Sequence, residues 1–276
     1  SIIKPLVMAA GLDTGVVTPK TSYNDKGFVI IDKKQINNFD KKGRGPNTTM
    51  QDVLNQSLNT GMVLVAGKLG KDNMRDYMLS YGIGEKTGID LPNETSGLVS
   101  NLKSPRDLEY ANAAFGQGIA LTPIEAVRAL SSLGNGGNLV VPHLVKEIKY
   151  EDGTKKEITY PTKRVKFSEK TSEEITSMLV TVMDKSLKGG PAKFDHYSVA
   201  VKTGTAQVAR SDGGGYYEDR HTHSFFGYFP AYDPKFLVFL YAVNPKGVPY
   251  ASQTWADPFL DLAKFLINYY EVPPDR

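Results

Sequence analysis

An almost entirely apolar run of eight residues, Phe236–Val243, constrains the fold of this chain more than any other stretch. It lacks the alternation of a half-solvated strand, and therefore predicts a β-strand in a sheet that is covered on both faces. Ser224–Pro230 predicts a second strand, and the turn residues Asp233-Pro234 separate the two. A last helix over roughly residues 257–270 is a candidate cover for this sheet.

A third strand is predicted where the chain enters Val201–Ala206, which reads Val-Lys-Thr-Gly-Thr-Ala. Residues 197–201 alternate apolar residues with small or polar ones, the period of a half-buried strand. Gly204 removes a side chain where another group must approach the backbone closely. A lysine and two threonines beside a bare backbone suit an anionic ligand along this edge. An ordinary strand end has the same appearance, so the interpretation depends on other motifs.

Composition limits the class of protein. With 276 residues, 40% hydrophobic and 23% charged, the chain can bury a large core and is typical of a globular protein. A net charge of +3 indicates no nucleic-acid or membrane-surface partner. The absence of cysteine from the sequence excludes disulfides, thiolate metal sites and a cysteine nucleophile. Neither a spanning apolar run nor an export leader is visible, so we expect any anchor to lie upstream.

Capping patterns predict three helix starts, each with a hydroxyl residue followed by an acidic one. They are Thr48 or Thr49 with Asp52, Thr122 with Glu125, and Thr171 with Glu174. The third belongs to a helix over about 168–187 that Gly189-Gly190-Pro191 ends. We therefore expect one domain, with a mostly helical lobe over about residues 5–190 and a sheet with a C-terminal helix over about 195–271.

The start of the chain carries the first candidate for chemistry. Apolar residues recur at helical spacing over Ile3–Ala10, and Pro5 is tolerated in a first helical turn. In such a helix Ser1 and Lys4 lie on one face, three residues apart. A lysine that burial keeps neutral could take the proton of the serine hydroxyl. The alternative is that Ser1 is a helix N-cap or a cloning remnant.

A second candidate pair is Ser57 and Asn59, two residues apart at a predicted helix junction, where both could point the same way. A hydroxyl there can relay a proton, and an amide can hold a substrate carbonyl. Lys86-Thr87-Gly88 repeats the lysine-threonine-glycine pattern, but it follows no strand and precedes a proline. We interpret it as a loop.

His221 and His223 would face one side of a strand, but spacing supplies no third ligand. We therefore interpret them as packing residues and expect no metal. The loop at 213–217, Gly-Gly-Gly-Tyr-Tyr, is either a mobile wall of an active-site cleft or an idle surface loop.

Three short motifs now stand in one order, Ser1-x-x-Lys4, Ser57-x-Asn59 and Lys202-Thr203-Gly204. Penicillin-binding proteins and class A β-lactamases carry this trio, with Ser-Asp-Asn as the middle member. The chain also resembles the transpeptidase domain of class B penicillin-binding proteins over nearly its whole length. Further stretches that carry the resemblance are Lys4-Pro5, Gly15–Pro19, Tyr81–Gly84, Gly97-Leu98, Gly116–Ile119, Thr122-Pro123 and Phe226–Pro230.

The resemblance implies an α+β fold of the penicillin-binding protein and serine β-lactamase type, with an antiparallel sheet flanked by helices and a mostly helical lobe, over residues 1–276. It implies a peptidoglycan D,D-transpeptidase that joins stem peptides ending in D-Ala-D-Ala and is acylated by β-lactam antibiotics. It further implies a role in cell division or cell shape, a glycosyltransferase as partner, and no nucleic acid, metal or organic cofactor. A membrane anchor, absent from this chain, would place the domain at the outer face of the cytoplasmic membrane.

For the reaction itself, the resemblance implies a role for each residue of the first two motifs. Ser1 attacks the peptide carbonyl and Lys4 is the base that activates it. Ser57 helps to move the proton to the leaving group, and Asn59 holds the peptide.

The strand motif is implied to bind the substrate. Lys202, Thr203, Gly204 and Thr205 form the edge that recognises the terminal carboxylate, and the backbone amides of Ser1 and Thr205 form the oxyanion hole. The family sheet has five strands, whereas only three are predicted after Lys4. We therefore expect the remaining strands to come from a segment cut away or from a separate chain. An α-amine at Ser1 in place of an amide would weaken the oxyanion hole.

Four alternatives remain open. An N-terminal-nucleophile hydrolase would use the Ser1 α-amine as its base. A β-lactam sensor would be acylated without passing the acyl group to an amine. A D,D-carboxypeptidase or serine β-lactamase would hydrolyse the acyl-enzyme quickly. A catalytically inactive cell-wall scaffold would not be acylated, and fold alone does not separate these activities.

Overall fold

The computed structural model describes residues 1–190 and 192–276. Within these ranges the α-helices are α1 (Lys4–Asp13), α2 (Met50–Asn55), α3 (Asn59–Leu69), α4 (Lys71–Ser80), α5 (Asp107–Ala113), α6 (Pro123–Gly134), α7 (Glu169–Lys185) and α8 (Ala251–Tyr269). The strands are β1 (Ser22–Asp25), β2 (Phe28–Ile31), β3 (Lys34–Asn37), β4 (Gly45–Thr49), β5 (Asn138–Leu139), β6 (Glu147–Lys149), β7 (Lys155–Glu157), β8 (Lys163–Arg164), β9 (Ala200–Ala209), β10 (Tyr216–Phe229) and β11 (Phe236–Val243). Pro191, expected to follow the end of α7, lies outside the described residues.

The main sheet contains three antiparallel strands in the order β11-β10-β9. Helix α8 covers one face, where the rings of Phe225 and Phe259 lie 4.6 Å apart. Helix α7 covers the other face, where the Thr176 and Tyr228 hydroxyls lie 2.8 Å apart. The double cover predicted from the apolar run therefore applies to the central strand β10.

β11 itself is covered over only part of its length. The strand forms as expected, but it pairs only with β10 and is an edge of the described sheet. Tyr241 and Val243 are 49% and 65% exposed. An all-apolar composition identifies a strand but cannot say how many neighbours the strand has.

The motif strand β9 begins three residues later than expected. The Ser198 amide donates to Asp275 at 2.7 Å, and the Ser198 hydroxyl also binds that carboxylate. Residues 197–199 are thus held by the end of the chain instead of by a neighbouring strand. Because β9 continues to Ala209, the Lys-Thr-Gly motif lies inside the strand and not at its end. β10 likewise begins at Tyr216, so the predicted loop at 213–217 is shorter.

Two of the three predicted helix caps are confirmed, and one is shifted. Thr49 and Thr122 both form reciprocal capping boxes with the acidic residue three positions later. For α7 the cap is Ser168, whose hydroxyl accepts the amide of Thr171 at 3.3 Å. The capping oxygen thus belongs to Ser168, three residues before the predicted cap Thr171. Thr171 itself lies inside the helix.

The last helix, α8, begins at Ala251, six residues before the predicted start at 257. The side chain of Gln253 accepts the Tyr250 amide at 3.3 Å, which satisfies one free donor at the helix start. Pro258 lies inside the helix, well after its start at Ala251, where a proline is uncommon. Proline favours a helix start, but tertiary packing overrides that preference here.

Helix α1 is the centre of the helical lobe. All of its residues from Lys4 to Leu12 are buried, and it packs against α3, α4, α6 and α7. A helix that is apolar on every side is expected at such a position. Lys4 is therefore held within the protein interior. No helix in the described ranges is long and apolar enough to cross a lipid bilayer.

Replacing Gly227 in β10 with alanine is expected to destabilise the fold by about 1–3 kcal/mol, because the site has no room for a side chain. A Cβ atom there would overlap the Phe259 ring and lie 3.0 Å from the Ala200 carbonyl oxygen. Denaturant unfolding measures the loss. Gly67→Ala in α3 is the control, since nothing beyond its chain neighbours and the backbone of its own helix lies within 4 Å of its Cβ position. Equal stability of the two variants would contradict the packing described for α8.

Candidate active site

Two lysines from different elements meet at one serine. Lys4, in the first turn of α1, donates from Nζ to the Ser57 carbonyl oxygen at 2.6 Å and to Ser57 Oγ at 3.1 Å. Lys202, near the start of β9, donates from Nζ to the same Oγ at 3.0 Å and to the Thr203 carbonyl at 2.9 Å. One residue of each predicted motif is therefore joined in one hydrogen-bonded cluster.

Burial changes the protonation of both amines. Lys4 is 0% and Lys202 is 1% exposed, in an environment that disfavours a positive charge. Burial lowers the pKa of Lys202 to about 7. Burial, and then the charge of Lys202, hold the pKa of Lys4 well below its usual range. Such a pair can hold a proton acceptor at neutral pH, which an exposed lysine cannot do.

Ser57 occupies the junction between α2 and α3 in a strained conformation. Its φ angle is +54°, in the left-handed region that a residue with a side chain rarely adopts. The turn presents both the carbonyl oxygen and the hydroxyl of Ser57 to Lys4. Strain of this kind persists where the surrounding structure enforces it, and it is common at functional sites.

Ser1 lies in the turn before α1 and not in the helix, which corrects the expectation that Ser1 and Lys4 share a helix face. Its carbonyl accepts the Lys4 amide at 3.3 Å. In the part of the chain that the structure describes, Ser1 Oγ makes no hydrogen bond to Lys4 Nζ. Catalytic hydrogen bonds are often loose without substrate, so Ser1 stays a candidate nucleophile.

The close approach predicted at Gly204 is present, and the segment that approaches is the one that follows Ser1. A Cβ atom on Gly204 would lie 3.0 Å from Ile2 Cγ2, 3.3 Å from the Ile2 nitrogen and 2.5 Å from Ser224 Oγ. Any side chain at position 204 would push β9 away from the Ser1 turn. The glycine thus brings the first and third motifs together.

The threonines beside Gly204 are partly buried on the edge strand β9. Among the residues that the structure describes, β9 has a strand neighbour on one side only. Every second backbone amide of β9 therefore faces outward and is free of strand pairing. Thr205 Oγ1 accepts the Ala251 amide at 3.0 Å, which ties the strand to the start of α8. Thr203 is half-buried and lies on the same face of the strand.

Asn59 is the first residue of α3, and it is held by a neighbouring loop. Its side-chain Nδ2 donates to the Asn37 carbonyl at 2.9 Å, and its backbone amide donates to Asn38 Oδ1 at 3.0 Å. The predicted pair Ser57 and Asn59 therefore lies on one turn, with Ser57 joined to the lysines and Asn59 fixed beside it.

Two contacts near these motifs were not predicted from the sequence. The exposed rings of Phe39 and Tyr250 meet edge to face at 5.8 Å, linking the loop beside Asn59 with the loop beside Thr205. The Gly118 amide donates to the Tyr216 hydroxyl at 2.8 Å, and so ties the β10 start to the helical lobe. Phe39 and Tyr250 are single exposed aromatic residues outside helices and strands, and such residues give no pattern that a sequence analysis could use.

The two competing motifs do not join this cluster. The Thr87 amide and hydroxyl bind the Glu94 carboxylate, which closes a loop. His223 is 1% exposed, and its Nδ1 lies 2.8 Å from Thr254 Oγ1. Burial lowers its pKa. Over residues 1–190 and 192–276 no three His, Cys, Asp or Glu side chains group as metal ligands would.

Comparison with protein families identifies one model, described as the penicillin binding protein transpeptidase domain, that matches residues 1–262. Stage V sporulation protein D of Bacillus subtilis is 36% identical over 264 residues, which is 94% of this chain and 40% of that protein. The probable peptidoglycan D,D-transpeptidase PenA of Neisseria gonorrhoeae is 28% identical over 277 residues, 100% of this chain and 45% of that protein. The chain thus spans less than half the length of these relatives.

Solved structures share the fold. Penicillin binding protein 3 of Mycobacterium tuberculosis, in complex with aztreonam, superposes with a TM-score of 0.90 at 26% identity. The match covers 100% of this chain and 63% of that chain. The α+β fold, with an antiparallel sheet between helices and a helical lobe, is therefore confirmed as the fold of penicillin-binding protein transpeptidase domains.

Proposed function

Because the chain belongs to the family of penicillin-binding protein transpeptidase domains, we propose that it is a serine-type peptidoglycan D,D-transpeptidase. It cross-links stem peptides through an acyl-serine intermediate, and β-lactams acylate the same serine. The relative named as a D,D-transpeptidase and the neighbour bound to aztreonam support both parts of this proposal.

The observation that carries the proposal is the cluster of Lys4, Lys202 and Ser57 beside the Ser1 turn. Two buried amines share one hydroxyl at 3.1 and 3.0 Å. Burying two amines side by side is costly for stability, and no carboxylate of the described residues neutralises them within ion-pair distance. Such an arrangement suits proton transfer, for which an amine must lose and regain a proton near neutral pH.

In the acylation step, Ser1 Oγ attacks the carbonyl carbon of the penultimate D-alanine. Neutral Lys4 takes the hydroxyl proton as the new C–O bond forms. The backbone amides of Ser1 and Thr205 stabilise the oxyanion, a contribution of about 3–4 kcal/mol per donor in serine hydrolases. Ser57 passes a proton to the departing amine, and the C–N bond breaks to release D-alanine.

In the transfer step, an amine of a second stem peptide attacks the ester carbonyl, loses its proton to the Lys4 and Ser57 relay, and restores the Ser1 hydroxyl. Asn59 holds the donor peptide. The positive end of Lys202, with the Thr203 and Thr205 hydroxyls, recognises the terminal carboxylate of the donor, as a charge-assisted hydrogen bond would. All of these steps use groups of this chain and its two substrates.

We also propose that residues 1–276 form one domain of a longer cell-wall enzyme at the outer face of the cytoplasmic membrane, where its peptidoglycan substrate lies. The greater length of the relatives supports this, since it leaves room for an anchor. A glycosyltransferase that makes the glycan strands is the expected partner.

The partition of the acyl-enzyme tests the proposed reaction against its alternatives. A thioester analogue of the donor peptide is mixed with the protein and with increasing D-amino acid as acceptor. A transpeptidase gives a transfer product that grows with acceptor concentration. Hydrolysis alone would instead assign a carboxypeptidase or β-lactamase, and a stalled acyl-enzyme would assign a sensor.

The acylation rate is expected to fall as pH is lowered through the depressed pKa of Lys4, because burial and the charge of Lys202 let this amine be neutral at a pH where an exposed lysine is protonated. Stopped-flow measurement with a fluorescent penicillin from pH 5 to pH 9 gives the profile. In Lys202→Met the pH range over which the rate falls moves to higher pH, because loss of the neighbouring charge lets the pKa of Lys4 rise. A wild-type rate that does not change with pH would contradict the assignment of Lys4 as base. A fall in rate that moves to lower pH in Lys202→Met would contradict it as well.

A further inference from the structure

Asn38 and Asp25 lie outside every motif, yet they hold the turn that carries Ser57 and Asn59. We infer that Asn38, oriented by the Asp25 carboxylate, is a positioning residue for acylation by this site. The inference rests on the proposed function, because it concerns the same reaction.

The start of α3 has no cap of its own. Its N-cap residue, Leu58, has no side chain able to accept a hydrogen bond, which leaves the first helical amides without a local partner. Asn38 Oδ1 replaces the cap from a distant loop. It accepts the amide of Asn59 at 3.0 Å and that of Thr60 at 3.2 Å.

This external cap adjoins the strained residue of the site. Ser57, with φ of +54°, lies two residues before the capped amide of Asn59. A left-handed serine relaxes unless the segments on both sides are fixed. On one side α2 is fixed by its own packing, so the cap from Asn38 fixes the other side and keeps Ser57 Oγ between the lysines.

A side-chain amide can cap a helix only in one of its two orientations, and Asp25 selects that orientation. Asn38 Nδ2 lies 2.9 Å from Asp25 Oδ2 and 3.2 Å from the Lys42 carbonyl, both of which only accept. A flipped amide would point its oxygen at a carboxylate. Oδ1 is therefore directed at α3.

The carboxylate of Asp25 is in turn held by a complete set of donors. Apart from Asn38, it accepts the Gly27 amide at 2.9 Å, the Arg44 amide at 3.1 Å and the Thr60 hydroxyl at 2.8 Å. Asp25 is 2% and Asn38 is 1% exposed. A buried and fully bonded network of this kind fixes one geometry, so that an error in one member moves the others.

The test measures acylation by a fluorescent penicillin in Asn38→Ala, with the limiting rate separated from the half-saturating concentration. We expect the limiting rate to fall roughly 10- to 100-fold, because small misplacements of catalytic groups carry losses of that size. The final extent of acylation stays at one penicillin per chain, as in the wild type. Asn47→Ala, at an exposed asparagine of β4, is the control and keeps the wild-type rate.

A swapped pair separates positioning from folding. Asn38→Asp places two carboxylates next to each other and is expected to lower the limiting acylation rate. Asp25→Asn combined with Asn38→Asp again places a donor opposite an acceptor, and is expected to recover most of the lost rate. The inference is wrong if the folded variants are acylated at the wild-type limiting rate and lose only thermal stability, or if the swap regains nothing. Failure of the wild-type protein itself to be acylated would instead refute the proposed function.

Discussion

Replacing Ser1 with alanine is expected to lower acylation by penicillin at least about 10⁴-fold, to no detectable adduct, since nothing else in the cluster replaces the attacking oxygen. The lysines and Ser57 remain joined to one another, so the fold and its unfolding midpoint stay close to those of the wild type. Fluorescent penicillin and denaturing gels measure the loss. The transfer reaction with a thioester donor falls in parallel.

The chain contains a matched control for this substitution. Ser100-Asn101-Leu102-Lys103 repeats the Ser-x-x-Lys pattern in a short 3-10 helix, where both Ser100 and Lys103 are exposed. Ser100→Ala should leave acylation unchanged, because an exposed lysine stays charged and cannot act as a base at neutral pH. Continued labelling of Ser1→Ala, or loss of labelling in Ser100→Ala, would remove Ser1 from its assigned role.

Replacing Lys4 with methionine is expected to lower the acylation rate about 10²–10⁴-fold, the range over which general bases contribute. Methionine has a similar length and no charge, so the substitution removes the cost of burying an amine while it also removes the hydrogen bonds to Ser57. We therefore expect a change in stability of no more than about 1–2 kcal/mol. Rate and unfolding are measured on the same preparation.

Lys103→Met is the control for Lys4→Met, since it deletes an exposed lysine of the repeated pattern. It should change neither rate nor stability. If Lys4→Met is acylated within about threefold of the wild-type rate, a general base elsewhere in the site must take the proton, and the mechanism written here is wrong. If it loses rate only because it unfolds, the unfolding curve will show this directly.

The parts of the fold that were predictable from sequence are those that local chemistry determines. The capping boxes at Thr49 and Thr122 were predictable because both partners lie within four residues. The start of α8 and the edge position of β11 were not. The first depends on packing that accepts Pro258 within the helix, and the second on which strands become neighbours.

For the candidate site, sequence motifs located the residues but not the way in which they connect. Ser57, rather than Ser1, is the meeting point of Lys4 and Lys202, which no spacing along the chain indicates. Asn38 and Asp25 were missed for a similar reason. Their role comes from long-range hydrogen bonds between a loop and a helix start, and neither residue belongs to a recognisable local pattern.

The central claim is that Ser1 is the nucleophile of a penicillin-reactive acyltransferase. Intact mass of the protein after incubation with benzylpenicillin, followed by peptide mapping, tests it most directly. We predict a stable increase of one whole benzylpenicillin per chain, located on Ser1, because opening the β-lactam ring joins the molecule to the serine without a leaving group. An unmodified mass, or an adduct on any other residue, would contradict the claim.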